Sequence, residues 1–428
     1  MLSITLLSSS CVNNIKPSDY VDFNEEKQKT ELRFISSWGG IDPQAEPLNM
    51  VFNEFMENNK GIDIINESVS GEDFLTKIKV DFASGFDPDV FGLWPGSDIN
   101  ALINAGKVAD LTDVLSQDPE WKESFKPDAW ADTTYNGLIY GLPFERIFEG
   151  LFINKDLFDQ YKIKIPKDFE ELKKAVLAFR AHDKIPIALN YSSEGTFLYQ
   201  NILASLAGKY IIQNPISGGS VKDCYIKAME YMKELYTIDA FPTQEMVNGM
   251  DNKTRDNMFI KKDAAMIVQG SWFIGKIDHD VDTVDIIPFP TINDGVAKSP
   301  SLVYGLGCGT FYMSKNAWND KEKRKAAIKL LKALTSQKSA QLFALKSGMI
   351  STINIDRAGL NYNYLTQKGL QLIDNAKELI GPPDSYVDRT AWEEKIVKQF
   401  IYVLNGKREA SSVWNDYLYD LRMRNLIE

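Results

Sequence analysis

The sequence predicts an α/β protein divided into two domains, and three observations carry that prediction. Strand-like apolar runs alternate with helix-like periodic segments over most of the chain, the pattern of α/β units on largely parallel sheets. The 428 residues exceed what one hydrophobic core usually fills. Prolines interrupt two strand-like runs, "YGLPFERIF" with Gly141 and Pro143, and "VDIIPFPTINDG" with Pro288 and Pro290. Because proline cannot donate to a central ladder, these read as strand ends or passages between domains.

The elements follow in order. Leu32, Phe34 and Ile35 predict a first strand, with Trp38-Gly39-Gly40 as the loop at its carboxyl end. A helix is expected over "LNMVFNEFMENN" and a short strand over "GIDIINESV". A second helix covers "EDFLTKIKVDFASG", where Phe74, Ile78 and Phe82 recur every four residues on one face. "PDVFGLW" reads as a buried strand. Alternation continues through "LIYGLPF", "GLFINKDLF", the helix "DFEELKKAVLAFRA" with Phe169, Leu172, Val176 and Phe179 apolar, and "IPIALN". After about residue 312 helices dominate, in "NDKEKRKAAIKLLKALTS", "LTQKGLQLIDNAKELI" and "AWEEKIVKQFIYVLNG".

Composition removes several function classes. A net charge of −11 without a basic stripe argues against nucleic acid, whose affinity rests on neutralised phosphates. No run of eighteen or more apolar residues could span a bilayer. Cysteines at 11, 224 and 308 are too few and scattered for a disulfide framework or a zinc site. No G-x-S-x-G, Walker A or zinc-protease pattern occurs, and His182 and His279 are the only histidines. In "GLGCGT", Gly305 to Thr310, the glycines are misplaced for a dinucleotide, so a tight loop is expected. "DHDVDTVD" begins like a calcium loop at Asp278, Asp280 and Asp282, but Phe289 stands where the twelfth-position glutamate belongs. No cofactor or metal is expected.

What is present is a set of aromatic residues at strand-to-loop junctions: Trp38, Trp94, Phe144, Trp272 and Tyr304. Asp42, Asp98, Glu145, Arg146 and Glu194 lie near them in sequence. In α/β sheets the crevice outside the strand carboxyl ends binds ligands. A flat apolar face beside carboxylates and an arginine fork suits a sugar, which has C–H faces and a rim of hydroxyls.

The segments "FISSWGG", "ASGFDPDVFGLW", "LINAGKVADLTDVL", "IYGLPFERIFEGLFINKDLF", "KDAAMIVQGSWFIGKI", "IIPFP" and "SGMIST" occur in a family's order. From residue 32 onward the chain resembles the family 1 extracellular solute-binding proteins of ABC sugar importers. The resemblance implies a two-lobed periplasmic-binding-protein-like fold of type II, with crossings near 143–147, 288–293 and 333–338. It assigns 31–143 plus 293–333 to the first lobe and 147–287 plus 338–428 to the second. Ligand contacts implied are Trp38, Asp42, Trp94, Asp98, Glu145, Arg146, Glu194, Phe197, Trp272, Tyr304 and Trp392, with Glu145 and Arg146 facing the cleft at the first hinge. The partners implied are a carbohydrate and the ABC permease transmembrane subunits, for a monomer without catalysis. The rivals are a glycoside-active enzyme using cleft carboxylates and a same-fold receptor for a polyamine, an anion or a metal.

The amino terminus resembles a bacterial lipoprotein signal: "MLSITLLSSS" is a short apolar run ending in small residues before Cys11. That implies cleavage before Cys11, its lipidation, a flexible tether over residues 12–30, and a place on the outer face of the cytoplasmic membrane.

Overall fold

The computed structural model describes residues 29–277, 281–355, 360 and 362–427. Cys11, most of the expected tether, Asp278, His279 and Asp280 lie outside them. Thr30 already belongs to a strand, so the expected tether ends one residue early.

Twelve strands build two sheets. In chain order they are β1 (Thr30–Ile35), β2 (Ile62–Asn66), β3 (Val90–Gly92), β4 (Gly141–Pro143), β5 (Glu145–Asn154), β6 (Ile185–Ile187), β7 (Ala264–Gly270), β8 (Val284–Ile287), β9 (Ser301–Leu306), β10 (Thr310–Met313), β11 (Ile350–Ser351) and β12 (Glu378–Ile380). The first sheet has the order β2-β1-β3-β10-β4, and the second β12-β9-β5-β7-β6, with β8 and β11 also paired to β5. Side-chain alternation places a core on each face of each sheet. In the first, Leu32 and Phe34 face one core and Ile35 the other; in the second, Leu151 and Ile153 face one and Phe148 and Phe152 the other.

The helices cover these faces as their periodicity predicts. Phe74, Ile78 and Phe82 are buried, as are Phe169, Leu172, Val176 and Phe179 of the helix Phe169–Arg180. Asp168 caps that helix by accepting the Glu171 N–H. The segment "LTQKGLQLIDNAKELI" departs from expectation. Its helix stops at Asn375, and Glu378–Ile380 is instead the edge strand β12, pairing with β9.

The sheets are less parallel than expected. β1 is parallel to β2 and β3, but β10 is antiparallel to β3 and β4. β5 is antiparallel to β7, β8, β9 and β11. The reason lies in how β5 arrives: it enters directly from the other sheet after a single residue, Phe144, with no helical crossover to force parallel pairing.

The passages between the sheets differ from the expected positions. The first is Phe144, between β4 and β5. The second is Gly307-Cys308-Gly309, between β9 and β10. Residues 288–293 stay with the second core, to which Phe289 and Ile292 belong, and Pro288 simply ends β8. The helix Gln337–Ser347 packs on the first core through Ala340 and Phe343, so the third passage begins after it, at β11, where Ile350 and Ser351 pair with Arg146 and Glu145 of β5. The passages lie side by side. Phe144 and Glu145 donate backbone N–H bonds to the Gly309 carbonyl at 3.1 and 3.2 Å, and Thr352 donates one to the Phe144 carbonyl at 3.0 Å.

Candidate ligand-binding cleft

A cleft of about 520 Å³ lies between the two sheets and is lined from both sides. Loops after β1 and β3 contribute Trp38, Asp42 and Trp94. The other wall comes from the start of β5, from the segment after β6 that holds Asn190, Glu194 and Phe197, and from Trp272 and Lys276 after β7. Most of both walls is therefore built from loops at strand ends, while Glu145, Ile147 and Glu149 line the cleft from within the β5 ladder.

The aromatic residues are held differently. Trp38 is only 3% exposed and packs against Phe311 and Phe343, with ring centroids 5.5 and 5.0 Å away, so it presents an edge of the core to the cleft. A Cβ on Gly309 would lie 2.5 Å from its indole, which explains a glycine there. Trp94 is half-buried, edge-on to Phe74, with the Arg389 guanidinium 5.6 Å from its ring. Trp272 is also half-buried; its ring lies over Gly270, where a Cβ would approach within 2.1 Å, and Phe197 meets it edge-on at 5.6 Å.

A polar network braces the wall that carries Trp272. Arg255, 2% exposed, donates to the Glu194 and Asp256 carboxylates at 2.6 Å each. Gln269 donates to Glu194 at 3.1 Å, and Lys276 pairs with Asp256 at 2.9 Å. Beside it, the Ser192 hydroxyl lies between the Asn190 and Asn252 amide oxygens and can donate to either. Arg255 and Gln269 hold the Glu194 carboxylate through Oε2 on the cleft wall. Sequence reasoning found Glu194 but not its supports, which come from distant loops and share no local pattern.

Three carboxyl groups facing the cleft have raised pKa values. Burial pushes Asp42 up to about 7, with Glu194 adding to the effect and Lys276 and the Gln44 N–H opposing it. Glu145 is pushed up to about 8, again chiefly by desolvation, although Oε2 accepts the Gly309 N–H at 2.9 Å. Glu149, two residues beyond Ile147 on the same face of β5, rises for the same reason, and Asp384 reinforces the shift. Glu149 was missed in the sequence, although period-two alternation from Glu145 points to it.

The family profile described as "Bacterial extracellular solute-binding protein" matches residues 41–341. The chain belongs to this family. Among relatives of this solute-binding protein, the maltotriose-binding protein of Pyrococcus abyssi (strain GE5 / Orsay) is 23% identical over 320 residues, 74% of this chain and 66% of that protein. The maltodextrin-binding protein MdxE of Bacillus subtilis (strain 168) is 23% identical over 252 residues, 57% of each chain. The chain thus matches slightly under two thirds of the first relative's length and somewhat over half of the second's. Two solved structures share the fold. A chitin oligosaccharide binding protein superposes with a TM-score of 0.81 at 19% identity, covering 92% of this chain and 100% of that one. The maltose/maltodextrin-binding domain MalE from Bdellovibrio bacteriovorus, bound to maltotriose, gives 0.75 at 18%, covering 93% and 100%. The resemblance read from the ordered motifs is borne out, as is the two-lobed α/β fold.

Not every expected contact of this solute-binding protein reaches the cleft. Arg146 alternates away from Glu145 along β5, pairing with Asp128 at 2.7 Å and lying 5.0 Å from the Tyr304 ring. Neither Arg146 nor Tyr304 lines the cleft. Asp98 is drawn to Lys79 at 3.7 Å and does not line it either. Trp392 is 0% exposed among Tyr199 and Trp414 in the second core, because its helical turn packs inward. Arg389, three residues earlier, takes the cleft position. Cys308 is buried in the second passage, where its thiol donates to the Gly92 carbonyl at 3.3 Å and burial pushes its pKa up to about 12. Among the described residues no helix is long and apolar enough to cross a membrane.

Proposed function

We propose that this solute-binding protein captures a carbohydrate, an oligosaccharide, between its lobes and delivers it unchanged to the permease of an ABC importer. The observation that carries this reading is the pairing of aromatic faces from both walls, Trp94 on one and Phe197 with Trp272 on the other, around a rim of carboxylates and amides. Rings supply stacking for sugar C–H faces, while Glu194 and Asn190 offer directed partners for hydroxyls. The names of the two relatives, which specify maltotriose and maltodextrin, support the same ligand class. Ligand touching both walls stabilises the closed arrangement by its differential contacts, and the permease reads that arrangement.

Binding without turnover fits the position of Glu145. One of its carboxylate oxygens is committed to the Gly309 N–H in a passage between the sheets, which leaves a single oxygen for contact with ligand. We further place the protein as a monomer tethered to the outer face of the membrane through a lipidated Cys11.

Calorimetric titration and thermal melts over neutral oligosaccharides test the binding. A ligand at a hundredfold excess over its Kd should add about 2.7 kcal/mol of stability, and chromatography should recover it intact. Cleaved product that disappears in Glu145→Gln would establish the enzyme instead. Intact-mass measurement of the protein from membranes, with Cys11→Ala as control, tests the anchor; an unlipidated chain retaining Met1 overturns it.

A further inference from the structure

The charges lining the cleft are unbalanced in a way that bears on which saccharide it takes. Seven acidic side chains line it against three basic ones. Two of the three cations are already engaged, Lys276 with Asp256 and Arg389 with Asp384. The third, Lys253, is exposed. Glu145 and Glu149 stand apart from these pairs. They are 3% and 2% exposed and project from the same face of β5 into the cavity. Each is held on Oε2 by one neutral donor, the Gly309 N–H at 2.9 Å and the Asn201 amide at 2.7 Å. Neither forms an ion pair among the described residues. A nearly buried carboxyl without a cation is costly in its charged form, and it gains most from a partner that brings a positive charge. An anionic ligand group placed there would instead be desolvated with no free cation beside it.

We propose that Glu145 and Glu149 set a charge rule for the cleft, so that saccharides bearing a free amine are preferred over their neutral N-acylated counterparts and saccharides bearing carboxylates are refused. The raised carboxyl pKa values agree with this arrangement, since both groups lack a cation. The rule rests on the carbohydrate reading above and narrows it to a chemical class.

The test titrates one panel of di- to tetrasaccharides, containing neutral, amine-bearing and uronic-acid members, into the wild-type protein, Glu145→Gln and Glu149→Gln. The expected result is tightest binding by an amine-bearing member, with acidic members at least a hundredfold weaker. Glu149→Gln keeps an acceptor for Asn201 and should lower the amine-over-neutral ratio about tenfold. If a variant does not fold, lowering the pH on the wild type, which keeps both carboxyls protonated, should still shrink that ratio. Neutral members binding as tightly as their amine-bearing counterparts, or acidic members binding comparably, would overturn the rule. A charge order that survives both substitutions would overturn the role of these two residues. Binding of no saccharide of any charge would instead sink the carbohydrate reading itself.

Discussion

The two walls of the cleft solve the same problem by opposite means. On the first-lobe wall, Trp38 is an outcrop of the hydrophobic core, wedged between Phe311 and Phe343. On the second-lobe wall, Trp272 lies half-buried on Gly270, and the rigidity comes from the polar lattice around Arg255. One wall positions its ring by packing and the other positions its polar groups by hydrogen bonds. Substitutions in the first wall should therefore register as lost stability. Substitutions at the surface of the second should register as lost affinity, unless they reach the buried lattice itself.

Four measurements would break or sharpen that contrast. The largest effect is expected from Arg255→Ala, which leaves the buried Asp256 with Lys276 and Glu194 with Gln269 alone; losing one partner of a buried ion pair costs about 3–5 kcal/mol in denaturant melts. Trp38→Ala should cost a similar amount, about 3–5 kcal/mol, because it opens a cavity in the core. Trp272→Ala should leave the melt nearly unchanged and weaken saccharide binding by roughly 1.5–3 kcal/mol, the worth of one lost apolar contact surface. If Trp272→Ala unfolds the protein while affinity holds, the contrast between the walls is wrong. Smallest is Arg146→Gln, at about 1 kcal/mol or less, since the close partner Asp128 is well exposed and remains solvated.

A pH series examines the junction of the walls, where Glu145 sits. Its folded pKa of about 8 exceeds its ordinary 4.5, so between those values the native state holds more protons than the unfolded chain. Stability contributed by the neutral carboxyl is complete below 4.5 and declines as pH rises toward 8. Asp42 adds the same sign between 3.8 and about 7. The melting temperature should fall across this window, and Glu145→Gln should flatten the slope; an unchanged slope would show that Glu145 is ionised throughout.

Much of the architecture is legible in the sequence because it is local. The four-residue recurrence of Phe74, Ile78 and Phe82 fixes a buried helical face, and the apolar run after Glu145 fixes the strand that anchors the second sheet. The errors arise where local pattern is silent about direction or destination. Proline marks the end of β8, yet nothing in "PFPTINDG" says that the chain stays in the same lobe. "GLGCGT" reads correctly as a loop without revealing that it passes between sheets. Arg146 adjoins Glu145 in sequence, yet strand alternation sends neighbours to opposite faces and takes it away from the cleft. Trp392 shows the remaining difficulty: an aromatic at the start of a helical segment has the same local signature whether it faces ligand or core.

The three passages between the sheets also govern how the molecule can be taken apart. Each lobe is assembled from stretches of chain that are far apart in sequence, so no truncation point yields one lobe whole. A protease that nicks the Gly307–Gly309 loop yields two fragments, each of which still runs through both lobes. Melting one lobe pulls directly on backbone that the other holds in its sheet. Heat or denaturant should accordingly unravel both lobes in a single cooperative transition, although each has its own cores.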